Sequence, residues 1–338
     1  MVIQAVTDLA PPLPAAIPDV QAARPQTLLA LSDVGITGVE KAVRLGQPGA
    51  ELSLSAVIDC SIDLPAVQRG AHLSRFDEAI EEAIDEVVLS AHLRAEDLAA
   101  DIAERVRGLQ GSRRAEARLT VRHPRIRQAP ASGLQSRELY TLLGAAVAGE
   151  GGTRRAVGVR AQGVTACPCG QAMATTDARE RLAAEGFDAD EIERVLACVP
   201  VATHNQRGLG TLWIGLAEGE AGAAVEPDAL LAVVESSMSS EVYELLKRAD
   251  EAHIIEKAHR RPRFVEDCVR EMVRMAVERF GYLGSTAFLS ARQENLETIH
   301  QHDVVARRDG LLGELARELR GHGAAAVDRE LDAWLREA

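Results

Sequence analysis

The sequence predicts an α+β fold in which an antiparallel sheet lies on one layer of helices, and three observations carry that prediction. From Glu51 to Leu64 the residues Leu52, Leu54, Ala56, Ile58, Cys60 and Ile62 alternate with small or polar ones, the period-two pattern of a half-buried strand. Phe76, Ile80, Ile84, Val87 and Val88 then recur at helical spacing. The order strand, strand, helix, helix, strand, strand, read once over residues 26–150, returns over residues 151–310.

Taken in order, residues 1–25 are rich in Pro and Ala and read as an extended arm. Gly35 to Leu45 is the expected hairpin partner of the alternating strand. Ser74 offers an N-cap hydroxyl to one long helix, or two in succession, over roughly 74–109. Arg114 to His123 and Leu139 to Val147 read as strands. In the second unit, strands are expected around 155–166 and 208–216, helices over about 227–280, and strands around 286–297 and 303–308. Two segments interrupt the symmetry: a helical insertion over 177–197 with a break at Gly186, and a terminal amphipathic helical segment over 311–338. A sheet with helices on one side leaves its second face in need of a partner, for which oligomerisation is the natural cover.

Composition narrows the function classes. Hydrophobic residues make up 46% of the chain, enough for a sizeable core. Aromatics are only 3%, too few for the stacking platforms of single-strand nucleic-acid binders. The net charge of -13 repels polyanions and membrane surfaces, so an anionic ligand needs a local basic pocket. The N-terminus lacks a basic n-region, and no apolar run approaches the roughly 20 residues of a membrane helix, so the chain reads as cytosolic. Five cysteines, an odd number unevenly spaced (Cys60, Cys167, Cys169, Cys198, Cys268), argue against a disulfide framework.

Several short segments concentrate reactive side chains. Cys167-Pro168-Cys169 follows an expected strand; a thiolate there would suit a borderline-soft metal, while two small buried hydrophobes are the bland alternative. Thr203-His204-Asn205-Gln206-Arg207 stacks polar and charged groups at a strand entry, or is an ordinary turn. Glu241 follows Ser240 at an expected helix start, where Ser240 would cap and Glu241 would face the positive helix end; Glu241 is also a candidate carboxylate ligand. In His300-Gln301-His302, a strand would project both imidazoles to one side, as a metal site or as a surface pair. Arg69, His72 and Arg75 gather at a helix N-terminus, a favourable anion site.

Together these segments resemble the type IB GTP cyclohydrolases, most closely the archaeal-type branch. The matching text is Ile17 to Gln21, Val34 to Val39, Gly70 to Phe76, Val164 to Cys169, Ala202 to Arg207, Glu241 to Arg248 and His300 to Asp303. The insertion between Cys169 and His204 points to the archaeal-type branch. The resemblance implies the tunnelling fold, with two repeats per chain and a homotetramer whose active sites lie at subunit interfaces. It implies a divalent metal (zinc, iron(II) or manganese) on Cys167, Glu241 and one histidine of the pair, with His302 favoured over His300. It implies catalytic roles for Cys167, His204 and His300. Glu256 is implied as the anchor of the guanine edge, with Arg207, His72, Arg75 and Lys247 toward the triphosphate and Arg69 and Arg248 as further candidates. The implied reaction is hydrolysis of GTP at guanine C8 with release of formate. Its product is 7,8-dihydroneopterin triphosphate, or, for the archaeal-type branch, the cyclic phosphate of dihydroneopterin. A different class of reading is a non-catalytic pterin-binding scaffold with a structural metal.

Overall fold

Strand β1 (Leu31–Leu45) and strand β2 (Leu52–Leu64) form the expected first hairpin, with Ala56, Ile58, Cys60, Ile62 and Leu64 buried on alternate positions. This computed structural model describes residues 19–46, 50–87, 94–217, 225–321 and 327–338; Met1 to Pro18 of the expected arm and Val88 of the expected helix lie outside them. Helices α1 (Leu73–Val87) and α2 (Ala95–Gln110) follow. Ser74 falls inside the first turn of α1 rather than capping it. Phe76, Ala79, Ile80 and Ala83 form the buried stripe of α1, spaced three and four apart, and face the sheet.

The chain continues through β3 (Ala115–Gln128), β4 (Gln135–Gly149) and β5 (Gly152–Ala166). Helices α3 (Pro168–Ala184) and α4 (Ala189–Cys198) precede β6 (Asn205–Leu216). The inserted helices therefore start directly at Pro168, earlier than residue 177, because the Pro fixes a helical φ at the first position. Then come α5 (Pro227–Ser237), the two-residue strand β7 (Ser240–Glu241), α6 (Arg248–Arg260), α7 (Val265–Phe280), β8 (Phe288–Leu296), β9 (Val304–Leu311), α8 (Leu312–Leu319) and α9 (Leu331–Leu335). Ser240 thus caps no helix: it pairs with Val164 in the sheet, and α6 begins seven residues beyond Glu241. His300 and His302 lie in the loop between β8 and β9, not in a strand.

Among the described residues the strands form one antiparallel sheet in the order β1-β2-β3-β4-β5-β6-β8-β9, with β7 attached to β5. One face packs against α1, α2, α5, α7 and α8 in a single core that includes Phe76, Leu98, Ile102, Leu212, Ile214, Met272 and Phe280. The helices are not confined to that face. Trp334 and Leu335 of α9 pack on the opposite side against Ala145, Val147, Ala156 and Phe288, with the Trp334 ring stacked on Phe288 at 5.1 Å. Small residues make room there, since a Cβ on Gly215 would sit 2.5 Å from the indole. Among the described residues no helix is long and apolar enough to cross a membrane.

The sheet forks at one end. β4 pairs with β5 only as far as Thr141 opposite Arg160. β3 and β4 stay paired to Gln128 opposite Gln135, and β5 and β6 to Ala166 opposite Asn205. Beyond Thr141 the two hairpins part, and β7 takes the vacated place beside β5. The β3–β4 turn is tied across to α6 by the buried carboxylate of Asp250. It accepts the N–H groups of Ala131, Ser132 and Lys247 and the hydroxyl of Ser132, at 2.7 to 2.8 Å. Burial pushes this carboxyl up, but those bonds outweigh it and hold Asp250 well below the usual carboxylate range.

Candidate active site

Cys167 is the N-cap of α3, and Pro168 occupies the first helical position. Its Sγ accepts the Gly170 N–H at 3.4 Å, at the helix end where the peptide dipoles favour negative charge. Its own N–H donates to the His204 carbonyl at 3.1 Å, and the Thr203 hydroxyl donates to the Cys167 carbonyl at 3.0 Å. Gly170 is required by this close approach. A Cβ there would lie 2.4 Å from Thr203 Oγ1 and 3.3 Å from His204 Cδ2, so the imidazole rests on the first turn of α3 beside Cys167. His204 Nδ1 is buried and has no hydrogen-bond partner among the described residues.

Three further segments arrive at this end of the sheet. The Ala166 N–H donates to Ser239 Oγ at 3.1 Å, which seats β7 and Glu241 beside the Cys167 segment. The Glu241 carboxylate is ion-paired with Lys257 of α6. Burial raises the Glu241 carboxyl, but the Lys257 bond, a backbone N–H and the charges of Lys257 and Arg127 more than offset it, leaving the pKa below its ordinary value. The C-terminal end of α6 closes over the same place. Gln171 of α3 donates to the His259 carbonyl, and the Arg263 N–H donates to the Ala166 carbonyl at 2.9 Å. Finally, the β8–β9 loop is fastened to the start of β6: Thr298 Oγ1 donates to the Asn205 carbonyl at 3.1 Å and Gln206 Nε2 to Glu297 at 3.2 Å. In that loop the His300 and His302 rings stack with centroids 5.2 Å apart.

The structure thus draws Cys167, His204, Glu241 and the histidine loop to one end of the sheet, but it does not close them into a ligand cage. Among the described residues, no group of three or more His, Cys, Asp or Glu side chains is placed to hold a metal. Of the substrate candidates, Arg207 sits on β6 opposite Val164 of β5. Lys247 and Arg248 stand at the start of α6, and Glu256 is an exposed residue of α6 paired with Arg260 at 2.9 Å. His72 and Arg75 lie elsewhere. They follow the far end of β2, where Arg75 donates to the Leu109 carbonyl and His72 pairs with Asp19 at 3.0 Å, at the opposite end of the strands from Cys167.

A family model described as type I GTP cyclohydrolase folE2 matches residues 17–306. The chain belongs to this family. Among its relatives, "GTP cyclohydrolase MptA" of Methanococcus maripaludis is 38% identical over 310 residues, covering 89% of this chain and 98% of that protein. "GTP cyclohydrolase MptA 1" of Methanocella arvoryzae is 37% identical, covering 91% and 98%. The corresponding protein of Methanosarcina barkeri is 36% identical, covering 90% and 97%. Of solved structures, a uricase from Bacillus fastidious superposes with a TM-score of 0.45 at 10% identity, covering 89% of this chain and 99% of that one.

In this GTP cyclohydrolase family member, some residues of the site carry no local sequence signal. Lys257 meets Glu241 only because β7 turns the chain back beside β5, a step that a two-residue strand does not announce. Ser239 acts through its hydroxyl on the neighbouring strand.

Proposed function

We propose that this chain is an archaeal-type GTP cyclohydrolase that hydrolyses the imidazole ring of GTP and releases formate. The observation that carries the reading is the convergence of the Cys167, His204, Glu241 and His300–His302 segments on one end of the sheet. The donor chemistry fits a divalent zinc, iron(II) or manganese ion: sulfur from Cys167, oxygen from Glu241, nitrogen from His302 or its neighbour His300. An ionised Glu241 beside a buried ammonium is a place already adapted to positive charge, and Lys257 would yield it to a metal. Because the set does not close within the chain described, we place its completion in the assembled enzyme, a homotetramer of tunnelling-fold subunits. There the histidine loop would move onto Cys167, and His72 and Arg75 would be contributed by a neighbouring copy.

The metal, when bound, supplies the Lewis acid that activates water for attack at guanine C8. The protein's own groups do the rest. Glu256, exposed in the single chain and paired with Arg260, would have to be covered in the assembled enzyme to accept the two N–H donors of the guanine edge and to reject adenine, which would then leave the carboxylate unpaired. His204, with a free Nδ1 beside Cys167, would carry protons to and from the opening ring. Arg207 and Lys247 would face the phosphates. The product reading moves from dihydroneopterin triphosphate to the cyclic phosphate, because relatives matched over nearly their whole length are MptA enzymes. Incubating the full-length protein with GTP and added zinc, iron(II) or manganese, with formate assayed and pterins identified by mass, tests both levels. Formate with cyclic phosphate is expected. Formate with the triphosphate would overturn the product assignment, and GTP binding without formate would replace the enzyme by the scaffold reading.

A further inference from the structure

The fork in the sheet opens a cleft of about 530 Å³ between the β3–β4 and β5–β6 hairpins, walled on one side by the residues that follow Glu241. Arg122, Arg125, Arg160 and Arg207 line it. Strand register explains why Arg122 and Arg160 face each other. Arg122 pairs with Thr141, Thr141 with Arg160, and Arg160 with Thr211, which makes one transverse row on one face of four adjacent strands. Arg207 stands two positions along the same face, beside Val164 and near the Cys167 end.

The charge state of this row is unusual. Arg125, on the other face of β3, shares the Glu235 carboxylate with Arg127, at 2.9 Å from Arg125. Among the described residues, Arg122, Arg160 and Arg207 have no carboxylate within ion-pair distance. Two of them touch only hydroxyls: Arg122 donates to Thr141 Oγ1 at 3.4 Å and Arg160 to Thr211 Oγ1 at 3.2 Å. The same row provides an internal contrast. It continues onto β8 and β9 as Arg292 and Arg307, and there each guanidinium has carboxylate partners: Glu294 at 2.7 Å for Arg292, and Glu330 at 2.9 Å and Asp309 at 3.3 Å for Arg307. Glu138, Glu235 and Glu244 also line the cleft, but Glu235 and Glu138 are turned to Arg125 and Arg127, and none of the three carboxylates pairs with Arg122, Arg160 or Arg207. Three like charges held within one cleft repel one another unless an anion joins them, and planar guanidinium forks match phosphate oxygens two at a time.

We infer that this cleft is a polyphosphate cradle, with Arg160 and Arg122 at its deep end and Arg207 at the end nearer Cys167. The inference rests on the cyclohydrolase reading for its place in the reaction, and it assigns Arg122 and Arg160 as the residues that bind the terminal phosphates of the nucleotide. A strand rises roughly 3.3 Å per residue, so the row of Arg160 lies about 23 Å along β5 from Cys167. An extended nucleoside triphosphate and the arginine side chain together span such a distance.

The probe is inorganic tripolyphosphate, titrated calorimetrically into the full-length protein at low salt, alongside the Michaelis constant for GTP in the formate assay. Arg122→Met and Arg160→Met are each expected to weaken tripolyphosphate about tenfold to a hundredfold, the range for a lost charge-assisted hydrogen bond, and to raise the KM for GTP. Arg292→Met, in the same row but paired with Glu294, is expected to change neither. Thermal melting of each variant checks folding, and Arg160→Lys retains part of the affinity because the charge is kept. Unchanged tripolyphosphate binding in Arg122→Met and Arg160→Met, or an equal loss in Arg292→Met, overturns the cradle. Wild-type protein that binds tripolyphosphate but releases no formate leaves the cradle standing and removes the cyclohydrolase reading instead.

Discussion

Substituting Gly170 by Ala tests how Cys167 and His204 are held together. The added methyl would meet Thr203 Oγ1 at 2.4 Å and His204 Cδ2 at 3.3 Å, so the hydroxyl must retreat by about 1 Å to reach ordinary contact. That retreat breaks its 3.0 Å bond to the Cys167 carbonyl, a loss of about 1 kcal/mol, and the forced contact adds an overpacking cost of about 1–3 kcal/mol. Ala in place of Gly within a helix returns up to about 1 kcal/mol, so the net destabilisation is roughly 1–3 kcal/mol. Turnover should suffer more than stability, since a misplacement of this size costs on the order of 100-fold in rate. Urea unfolding and formate release, measured on Gly170→Ala, Thr203→Ala and the double variant, form a complete cycle. Thr203 Cβ lies 3.7 Å from the new methyl, so removing the hydroxyl relieves the clash and the double variant should be more stable than Gly170→Ala alone. A Gly170→Ala protein as stable and active as wild type, or a double variant destabilised by the sum of the two, would refute the packing argument.

Other consequences concern charge and the second face of the sheet. Lys257→Met removes the partner that holds the Glu241 carboxyl down, so burial then raises its pKa. A carboxyl with a lowered folded-state pKa contributes stability above its unfolded value and loses it as pH falls through the folded value. In Lys257→Met that acid-side loss of stability should therefore disappear, with stability at neutral pH reduced and the two proteins converging at low pH, and superimposable urea-unfolding profiles of the metal-free proteins would refute the role given to Lys257. Trp334→Ala removes a ring that is 2% exposed, stacked on Phe288 and covered by Arg154 at 4.9 Å. It should cost about 3–5 kcal/mol in urea unfolding, and a cost below about 1 kcal/mol would show that α9 contributes little to the fold.

Much of the fold was legible because period-two and helical spacings survive in the sequence wherever one face of an element is buried. β2 and α1 are the clearest cases, with Ile58, Cys60 and Ile62 on one and Phe76 and Ile80 on the other. What escaped depends on tertiary contacts. Ser240 reads locally as a helix cap, but its pairing with Val164 wins because β4 has already left the flank of β5. His300 and His302 read as strand residues, yet the loop is pinned by Thr298 and Glu297 before β9 begins. The candidate site was legible as separate reactive segments, and their common end of the sheet follows from antiparallel register. The fork, the unpaired arginines and the Lys257–Glu241 pair were not legible, since each joins residues whose proximity only the sheet order determines.

The metal proposed for this site depends on the sulfur of Cys167. Loading the full-length protein with cobalt(II) and recording the thiolate-to-metal absorption band tests it most directly, because only a coordinated sulfur produces that band. The band is expected in wild type and in Cys169→Ser, and its loss in Cys167→Ser with urea unfolding unchanged, as befits a catalytic rather than a structural metal. A band that survives in Cys167→Ser would contradict it.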